Sequence, residues 1–223
     1  MLRPRADMLP PAQQRLWREL GGTPDDFVLY GGTALALRLG HRQSIDFDFF
    51  SSAPVDSTRL LREVSYLQGA EVVQRSPDTL TSLVDRGGPV RVSFFGGLTL
   101  RRVADPDSLA APAVMIASLL DLAATKAEVV QARAAAKDYL DIDALIHRAG
   151  VSLSDTRGAA RAVFGPAFNP IPTLKALCFF DDGDLAALPR NVCRRLVEAV
   201  AAVDPTKLPD FDPLPGVAPG ASC

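Results

Sequence analysis

The sequence contains few cysteines and histidines, and their positions exclude the usual cysteine–histidine metal sites. Its three cysteines and two histidines show none of the spacings that zinc ligands have. So few cysteines, without a pairing pattern, favour a reducing compartment over a disulfide-stabilised secreted protein. These residues are Cys178, Cys193, Cys223, His41 and His147.

Long hydrophobic runs and a charge excess are also absent. No stretch of about 18 apolar residues occurs, so no membrane-spanning helix is predicted. The N-terminal residues include basic side chains but no apolar signal-peptide segment, and we therefore expect a cytoplasmic protein. The net charge is -2, so any nucleic-acid surface would have to be a local basic patch.

The composition is that of a globular protein, with 48% hydrophobic and 22% charged residues among 223. Residues 1–105 show short alternating apolar runs, which predict a mixed α/β domain. Three strands are predicted between residues 71 and 97, and Arg86, Gly87 and Gly88 form the turn between the last two.

The character of the sequence changes after residue 105. Residues 106–203 are rich in alanine and leucine, so we predict a domain that is helical almost throughout, with Asp107 or Ser108 capping its first helix. Residues 204–223 are proline-rich, which predicts an extended or flexible tail.

Two aspartates interrupt an otherwise apolar strand in the segment YGGTALALRLGHRQSIDFDFF, residues 30–50. Residues two apart on a strand point to the same face, about 7 Å apart along the backbone. Asp46 and Asp48 could therefore share a divalent cation, because carboxylate oxygens are the ligands that Mg²⁺ prefers. The alternatives are a solvated pair or ion pairs with Arg38 or Arg42.

A Gly-Gly-Thr turn precedes this strand. Gly31 and Gly32 stand between a predicted strand and a predicted helix, where unpaired backbone N–H groups favour an anion. Thr33 is a candidate N-cap and could donate its hydroxyl to a phosphate. An ordinary strand-to-helix turn is the alternative, but the order of turn, helix and acidic strand places a phosphate site beside a metal site.

Basic residues recur within the predicted helix of residues 121–146. If this helix is continuous, Lys126, Arg133 and Lys137 share one face and could balance a triphosphate. The alternatives are a solvated basic face, with Lys137 paired to Asp141, or a break near residues 134–136 that would separate the three cations.

These motifs resemble a known family. GGTALALRLGHRQSIDFDFF resembles the first signature of the nucleotidyltransferase superfamily, and its form G-G-T…R-x-S-x-D-x-D resembles the AbiEii/AbiGii toxin branch. Residues 121–146 resemble the helical signature of that branch, a Lys, an Arg, and then Lys-Asp followed by an aromatic residue and Asp. The later CFFDDGD also resembles this branch, although no chemistry is assigned to it.

The resemblance implies an α+β fold, in which a nucleotidyltransferase-like mixed sheet with flanking helices is followed by a C-terminal helical domain. It implies transfer of a nucleoside monophosphate from an NTP, with Mg²⁺ or Mn²⁺, to a hydroxyl of RNA, tRNA or protein. It also implies a toxin with a cognate antitoxin. The implied catalytic residues are Asp46, Asp48, Lys126 and Asp138; Asp46 and Asp48 are also the metal ligands, and the nucleotide-binding residues are Gly31, Gly32, Thr33, Arg42, Ser44, Lys126 and Lys137.

One position departs from the superfamily pattern. A third carboxylate is common on a later strand, but the candidate position in PVRVSFFGG is Ser93, and a serine cannot act as the general base. Asp85 or Asp138 could substitute. The alternative function is a catalytically degenerate module that binds a nucleotide or a partner, and an antibiotic-modifying transferase with a small-molecule acceptor fits less well.

Overall fold

The computed structural model describes residues 2–219, which contain a seven-stranded mixed β-sheet and eight α-helices. The predicted α+β fold class is confirmed. Residues 220–223, which include Cys223 and the end of the predicted tail, lie outside the described residues. Among residues 2–219, no helix combines the length and the hydropathy that a membrane span requires.

The chain forms two compact units. Unit 1 comprises residues 2–100, 105–118 and 215–219, and unit 2 comprises Arg101–Ala104 and Leu119–Leu214.

Unit 1 contains the whole β-sheet. Its strands are β1 (Val28–Tyr30), β2 (Asp46–Phe50), β3 (Glu71–Ser76), β4 (Thr79–Asp85), β5 (Pro89–Phe95), β6 (Asp107–Ala110) and β7 (Ala113–Ile116), and its helices are α1 (Pro11–Trp17), α2 (Gly31–Leu39) and α3 (Ser57–Glu63). The strand order is β3-β4-β5-β2-β1-β7-β6. The β2–β5 and β1–β7 pairs are parallel, and the other neighbours are antiparallel.

Aromatic side chains form the core on one face of this sheet. Phe47 and Phe49 of β2 are fully buried. The ring of Phe49 stacks on Phe94 with centroids 5.3 Å apart, and the ring of Phe47 stacks on Trp17 of α1 at 6.4 Å. The alternation of β2 is therefore fixed by burial of its phenylalanines, which leaves the residues between them on the opposite face.

The prediction of a helix beginning at Asp107 or Ser108 is wrong. This segment forms β6 and β7, which pair as an antiparallel hairpin at one edge of the sheet. The physical reason is that Pro112 lacks the N–H that a helix interior requires. After it, Val114 and Ile116 alternate with less buried residues and pack into the core as strand residues do.

Unit 2 is helical, as its alanine-rich and leucine-rich sequence predicts. Its helices are α4 (Leu119–Ala132), α5 (Ala136–His147), α6 (Leu153–Phe164), α7 (Ile171–Ala176) and α8 (Arg190–Ala201). Residues 121–146 form two helices and not one, because α4 ends at Ala132 and α5 begins at Ala136. The break near residues 134–136, one of the two alternatives above, is therefore the one observed. Helix α8 is held to α5 by a bidentate ion pair, in which Arg195 donates to the two carboxylate oxygens of Asp143 at 2.8 and 2.6 Å.

The proline-rich segment makes specific contacts in both units. In unit 2, Leu214 and Arg102 exchange two backbone hydrogen bonds of 2.7 and 3.0 Å. In unit 1, the backbone N–H of Val217 donates to Oγ of Ser52 at 3.1 Å, and Val217 is buried. Residues 215–219 thus complete unit 1 although they follow unit 2 in the chain.

Replacement of Phe49 by alanine tests the aromatic core. We expect Phe49→Ala to lower the free energy of unfolding of unit 1 by about 3–5 kcal/mol, because it removes a fully buried ring and leaves a cavity. Urea unfolding followed by the fluorescence of Trp17, the single tryptophan, measures this change. Val72→Ala on the exposed strand β3 is the control and should change stability by less than about 0.5 kcal/mol; equal effects would contradict this description of the core.

Candidate active site

Strand β2 presents its two carboxylates on the face opposite the aromatic core. Burial alternates along the strand, so that Asp46, Asp48 and Phe50 are half-buried while Phe47 and Phe49 are fully buried. The two carboxylates therefore lie on one face of one strand, which is the arrangement that the alternation predicts.

The neighbouring strand β5 supplies one cation and one hydroxyl next to them. In the parallel register, Asp46 is opposite Arg91 and Asp48 is opposite Ser93. Nε of Arg91 lies 3.9 Å from a carboxylate oxygen of Asp46, at the long limit of an ion pair. Ser93 is buried, and its Oγ accepts a hydrogen bond of 3.3 Å from Thr81 of β4.

The Gly-Gly turn lies directly against Asp48. Gly31 begins α2 with φ of +74°, and a Cβ at this position would lie 3.0 Å from Oδ2 of Asp48. The prediction of Thr33 as the N-cap of α2 is wrong, since Tyr30 is the N-cap. Thr33 lies within the first turn instead, and its hydroxyl donates a short hydrogen bond to the backbone carbonyl of Asp46. It thereby ties the helix to the acidic strand.

Arg42 and Ser44 close over the second glycine. A Cβ at Gly32 would lie 2.6 Å from Nη2 of Arg42 and 2.9 Å from Oγ of Ser44. Arg42 also donates to the carbonyl of Gln43 at 2.8 Å. Arg38, the other arginine considered as a partner of the aspartates, binds Asp107 at 2.6 Å.

Unit 1 thus brings together six of the residues singled out in the sequence around the start of α2. They are Gly31, Gly32, Arg42, Ser44, Asp46 and Asp48. The backbone N–H groups at a helix start, a guanidinium and a hydroxyl are donors suited to phosphate, and the two carboxylates are hard oxygen ligands suited to a divalent cation. Within residues 2–219, no group of three or more His, Cys, Asp or Glu side chains could hold a metal, so a cation here would take only two protein carboxylates.

A second charged cluster lies inside unit 2. Nζ of Lys126 on α4 lies 2.6 Å from a carboxylate oxygen of Asp138 and 2.6 Å from one of Asp141, both on α5. Nε of Arg133 donates to the other oxygen of Asp138 at 2.8 Å. The two aspartates are fully buried, while the side chain of Arg133 is 54% exposed.

The predicted basic stripe is replaced by this cluster. Because the helix breaks after Ala132, Lys126, Arg133 and Lys137 do not follow one helix face, and Lys137 is exposed. Asp141 forms an ion pair with Lys126, although Asp141 was not among the site residues predicted from the sequence. The spacing of Asp138 and Asp141 was the available signal, since residues three apart share a helix face.

The pKa of the Asp138 carboxyl is below its ordinary value of 3.8. Burial alone would raise this pKa, because it penalises the charged form. The hydrogen bonds and positive charges of Arg133 and Lys126 outweigh burial and favour the carboxylate. The cluster therefore holds Asp138 ionised.

Loss of the buried ammonium should destabilise unit 2. We expect Lys126→Met to lower the free energy of unfolding by about 3–5 kcal/mol at pH 7, because it leaves two buried carboxylates without their shared cation. Urea unfolding followed by helical circular dichroism measures the effect. Lys137→Met is the matched control on the exposed side of the same motif, and a loss of equal size there would contradict the assignment.

The lowered pKa of Asp138 also predicts a pH dependence. Since folding favours the ionised form, this carboxylate stabilises the protein fully above its ordinary pKa of 3.8, and the contribution is lost as the pH falls through the lowered value. The difference in unfolding free energy between the wild type and Asp138→Asn should therefore be largest near neutral pH and shrink below about pH 4. Asp181→Asn, at an exposed position, should show no such trend, and a pH-independent difference for Asp138→Asn would contradict the prediction.

Comparisons with known proteins identify one relative by sequence and two solved structures of similar fold. The chain is 32% identical over 163 residues to an uncharacterised protein of Aquifex aeolicus strain VF5, covering 72% of this chain and 77% of the other. Among solved structures, it resembles a presumed nucleotidyltransferase from H. pylori, with a TM-score of 0.52, 15% identity, and coverage of 85% of this chain and 90% of that one. It also resembles MenT4, a nucleotidyltransferase toxin from Mycobacterium tuberculosis H37Rv, with a TM-score of 0.53, 17% identity, and coverage of 86% and 82%.

The two solved structures show a shared fold, and the family match goes further. The family model described as the nucleotidyl transferase AbiEii toxin of type IV toxin–antitoxin systems matches residues 15–214. This match spans all seven strands of unit 1 and all five helices of unit 2. The chain therefore belongs to the AbiEii nucleotidyltransferase toxin family.

Proposed function

We propose that this protein transfers a nucleoside monophosphate from an NTP to an acceptor hydroxyl, as the toxin of a toxin–antitoxin pair. The observation that carries the proposal is the convergence at the start of α2 of phosphate donors with two carboxylates on one strand face. Family membership supports the same activity, and it supports an antitoxin as the partner.

The proposed nucleotide contacts come from unit 1. The triphosphate rests on the backbone N–H groups at Gly31 and Gly32, where the absence of side chains permits close approach. Arg42 and Ser44, which lie against Gly32, donate to its oxygens. Thr33 contributes by fixing the helix start to β2, since its hydroxyl is directed to the carbonyl of Asp46.

Asp46 and Asp48 are the proposed ligands of a divalent cation, Mg²⁺ or Mn²⁺. Such a cation neutralises phosphate charge as it develops. In the transfer, the acceptor oxygen forms a bond to the α-phosphorus while the bond to the bridging oxygen breaks. Pyrophosphate leaves with that electron pair, and the acceptor's proton passes to water. The residues of unit 1 hold the phosphates in line for this displacement.

In unit 2 we propose an orienting role for Asp138. Its carboxylate holds Lys126 and Arg133, and of these two cations Arg133 is the solvent-accessible one. To contact a phosphate, Lys126 would have to break its ion pairs with Asp138 and Asp141, each of 2.6 Å. The proposed role of Lys126 is therefore to hold Asp138 in place. Lys137 is exposed and is the proposed contact for the acceptor or the nucleotide.

A second candidate function rests on Ser93. This residue is opposite Asp48 in the register, where an additional carboxylate would complete the metal site, and it offers only a hydroxyl. A module that binds an NTP without turnover is compatible with that substitution. Calorimetric titration with each NTP, with and without Mg²⁺, distinguishes the two, because metal-dependent binding without product formation favours the module.

The test of the transferase is labelling of total RNA or protein by NTPs that carry radioactive α-phosphate. We expect labelling by the wild type, and a fall of at least about 100-fold in Asp46→Asn combined with Asp48→Asn, because the cation loses both carboxylates. Chelation of divalent cations with EDTA should have the same effect.

The control is Asp25→Asn, which removes an exposed carboxylate of the same unit. This variant should label RNA or protein as the wild type does. When EDTA is replaced by excess Mg²⁺, labelling should return in the wild type and in Asp25→Asn, but not in the double variant. Equal labelling by the wild type and the double variant would refute the proposed chemistry.

A further inference from the structure

The CFFDDGD segment, residues 178–184, is the one sequence motif noted above that the proposed site does not use. It follows α7 and leads into a short 3-10 helix, Leu185–Ala187. In the structure this loop packs against the start of α5, the helix that carries Asp138. Its contacts there are both polar and apolar.

The N-cap residue of α5 has no side chain that could accept a hydrogen bond. This N-cap is Ala135, which makes no side-chain hydrogen bond, and residues 134–136 are all alanine. The first N–H groups of a helix need acceptors from elsewhere. Asp184, 48 residues further along, supplies one, because its Oδ1 accepts from the backbone N–H of Ala136 at 2.6 Å. Its negative charge also suits the positive end of the helix dipole.

Gly183 allows the loop to come this close. It adopts φ of +58°, and a Cβ at this position would lie 2.0 Å from the backbone oxygen of Ala134. No other residue type fits without displacing the loop or the connection between α4 and α5. Beside it, the ring of Phe180 contacts Tyr139 edge-on at 6.2 Å, and the hydroxyl of Tyr139 donates to the carbonyl of Ala176 at 3.1 Å.

These contacts bear directly on the charged cluster. Asp138 lies in the first turn of α5, two residues after the N–H that Asp184 binds, and it accepts from Lys126 and Arg133 of the preceding segment. Within this turn the backbone N–H of Asp138 donates to the carbonyl of Ala135 at 2.9 Å. Because α4 and α5 are separate helices, no continuous helix fixes how the turn lies against α4, and the contacts from the 178–184 loop supply that constraint. We infer that Asp184, placed by Gly183, is a positioning residue that fixes Asp138 and thereby Lys126 and Arg133. Its effect on catalysis rests on the proposed function, whereas its effect on α5 does not.

The test compares three variants of the full chain. Asp184→Ala removes the acceptor, Asp184→Asn keeps an oxygen acceptor of the same size, and Asp181→Ala removes an exposed carboxylate from the same loop. Hydrogen exchange of the amides of residues 136–139 reports the first turn of α5. The kcat and KM of NTP transfer report the reaction, and thermal unfolding confirms that each variant folds.

For Asp184→Ala we expect amide exchange in this turn to accelerate about fivefold, the equivalent of a lost N-cap. We also expect kcat to fall by about fivefold or more while the KM for NTP stays within about twofold, because the nucleotide contacts of unit 1 are unchanged. Asp184→Asn should restore both quantities, and Asp181→Ala should change neither.

Unchanged exchange in Asp184→Ala, or an equal loss in Asp184→Asn, would overturn the capping assignment. Accelerated exchange with unchanged kcat would overturn the role in positioning. If the wild type transfers no nucleotide, the proposed function fails, and the exchange measurement still decides whether Asp184 fixes the start of α5.

Discussion

Burial of two phenylalanines on alternate positions of β2 is the constraint on which the candidate site depends. Once Phe47 and Phe49 enter the aromatic core, the pleat of the strand directs Asp46 and Asp48 to the other face. A shift of one residue in the register of β2 would bury both carboxylates and expose both rings. Burial of Phe47 and Phe49 therefore fixes the position of the two aspartates. The rest of the site is arranged around a strand whose register is set by these two rings.

The two units differ in the burial and the partners of their charged side chains. In unit 1, carboxylates, a guanidinium and the start of a helix lie together at half-buried positions. In unit 2, two buried aspartates meet cations of the same chain at 2.6–2.8 Å. Such buried clusters contribute little net stability relative to apolar packing, but each member becomes costly to remove. The cluster therefore specifies how α4 and α5 meet.

The sequence predicted those features of the fold that local patterns encode. Alternation identified β2, the Gly-Gly pair identified the start of α2, and three strands with their turn at residues 86–88 were found between residues 71 and 97. The hairpin of β6 and β7 was missed because its alanines favour a helix. The only contrary signals were Pro112 and the alternation of the apolar residues Val114 and Ile116 with their less buried neighbours. Of the candidate site, the residues close together in sequence came together in unit 1, and their roles stay predictions.

Features fixed by distant contacts could not be decided from local patterns: a break near residues 134–136 was one of the alternatives, but no local signal favoured it over a continuous helix. Residues 134–136 are three alanines, the best helix formers, yet the helix breaks there. What holds the break is Gly183 against the carbonyl of Ala134 and Asp184 on the N–H of Ala136, contacts that span 48 residues or more. The exchange of a basic stripe for a buried ion cluster has the same origin, because it follows from the break.

The path of the chain has a consequence for how the protein is made. Residues 215–219 complete unit 1, where Val217 is buried and bonded to Ser52, but they are translated only after every residue of unit 2. On the ribosome, the sheet that carries the acidic pair must wait for its final contacts until the helices have been synthesised. A nascent chain therefore lacks the last contacts of unit 1 until residues 215–219 have been added, even when every strand of its sheet has already been made.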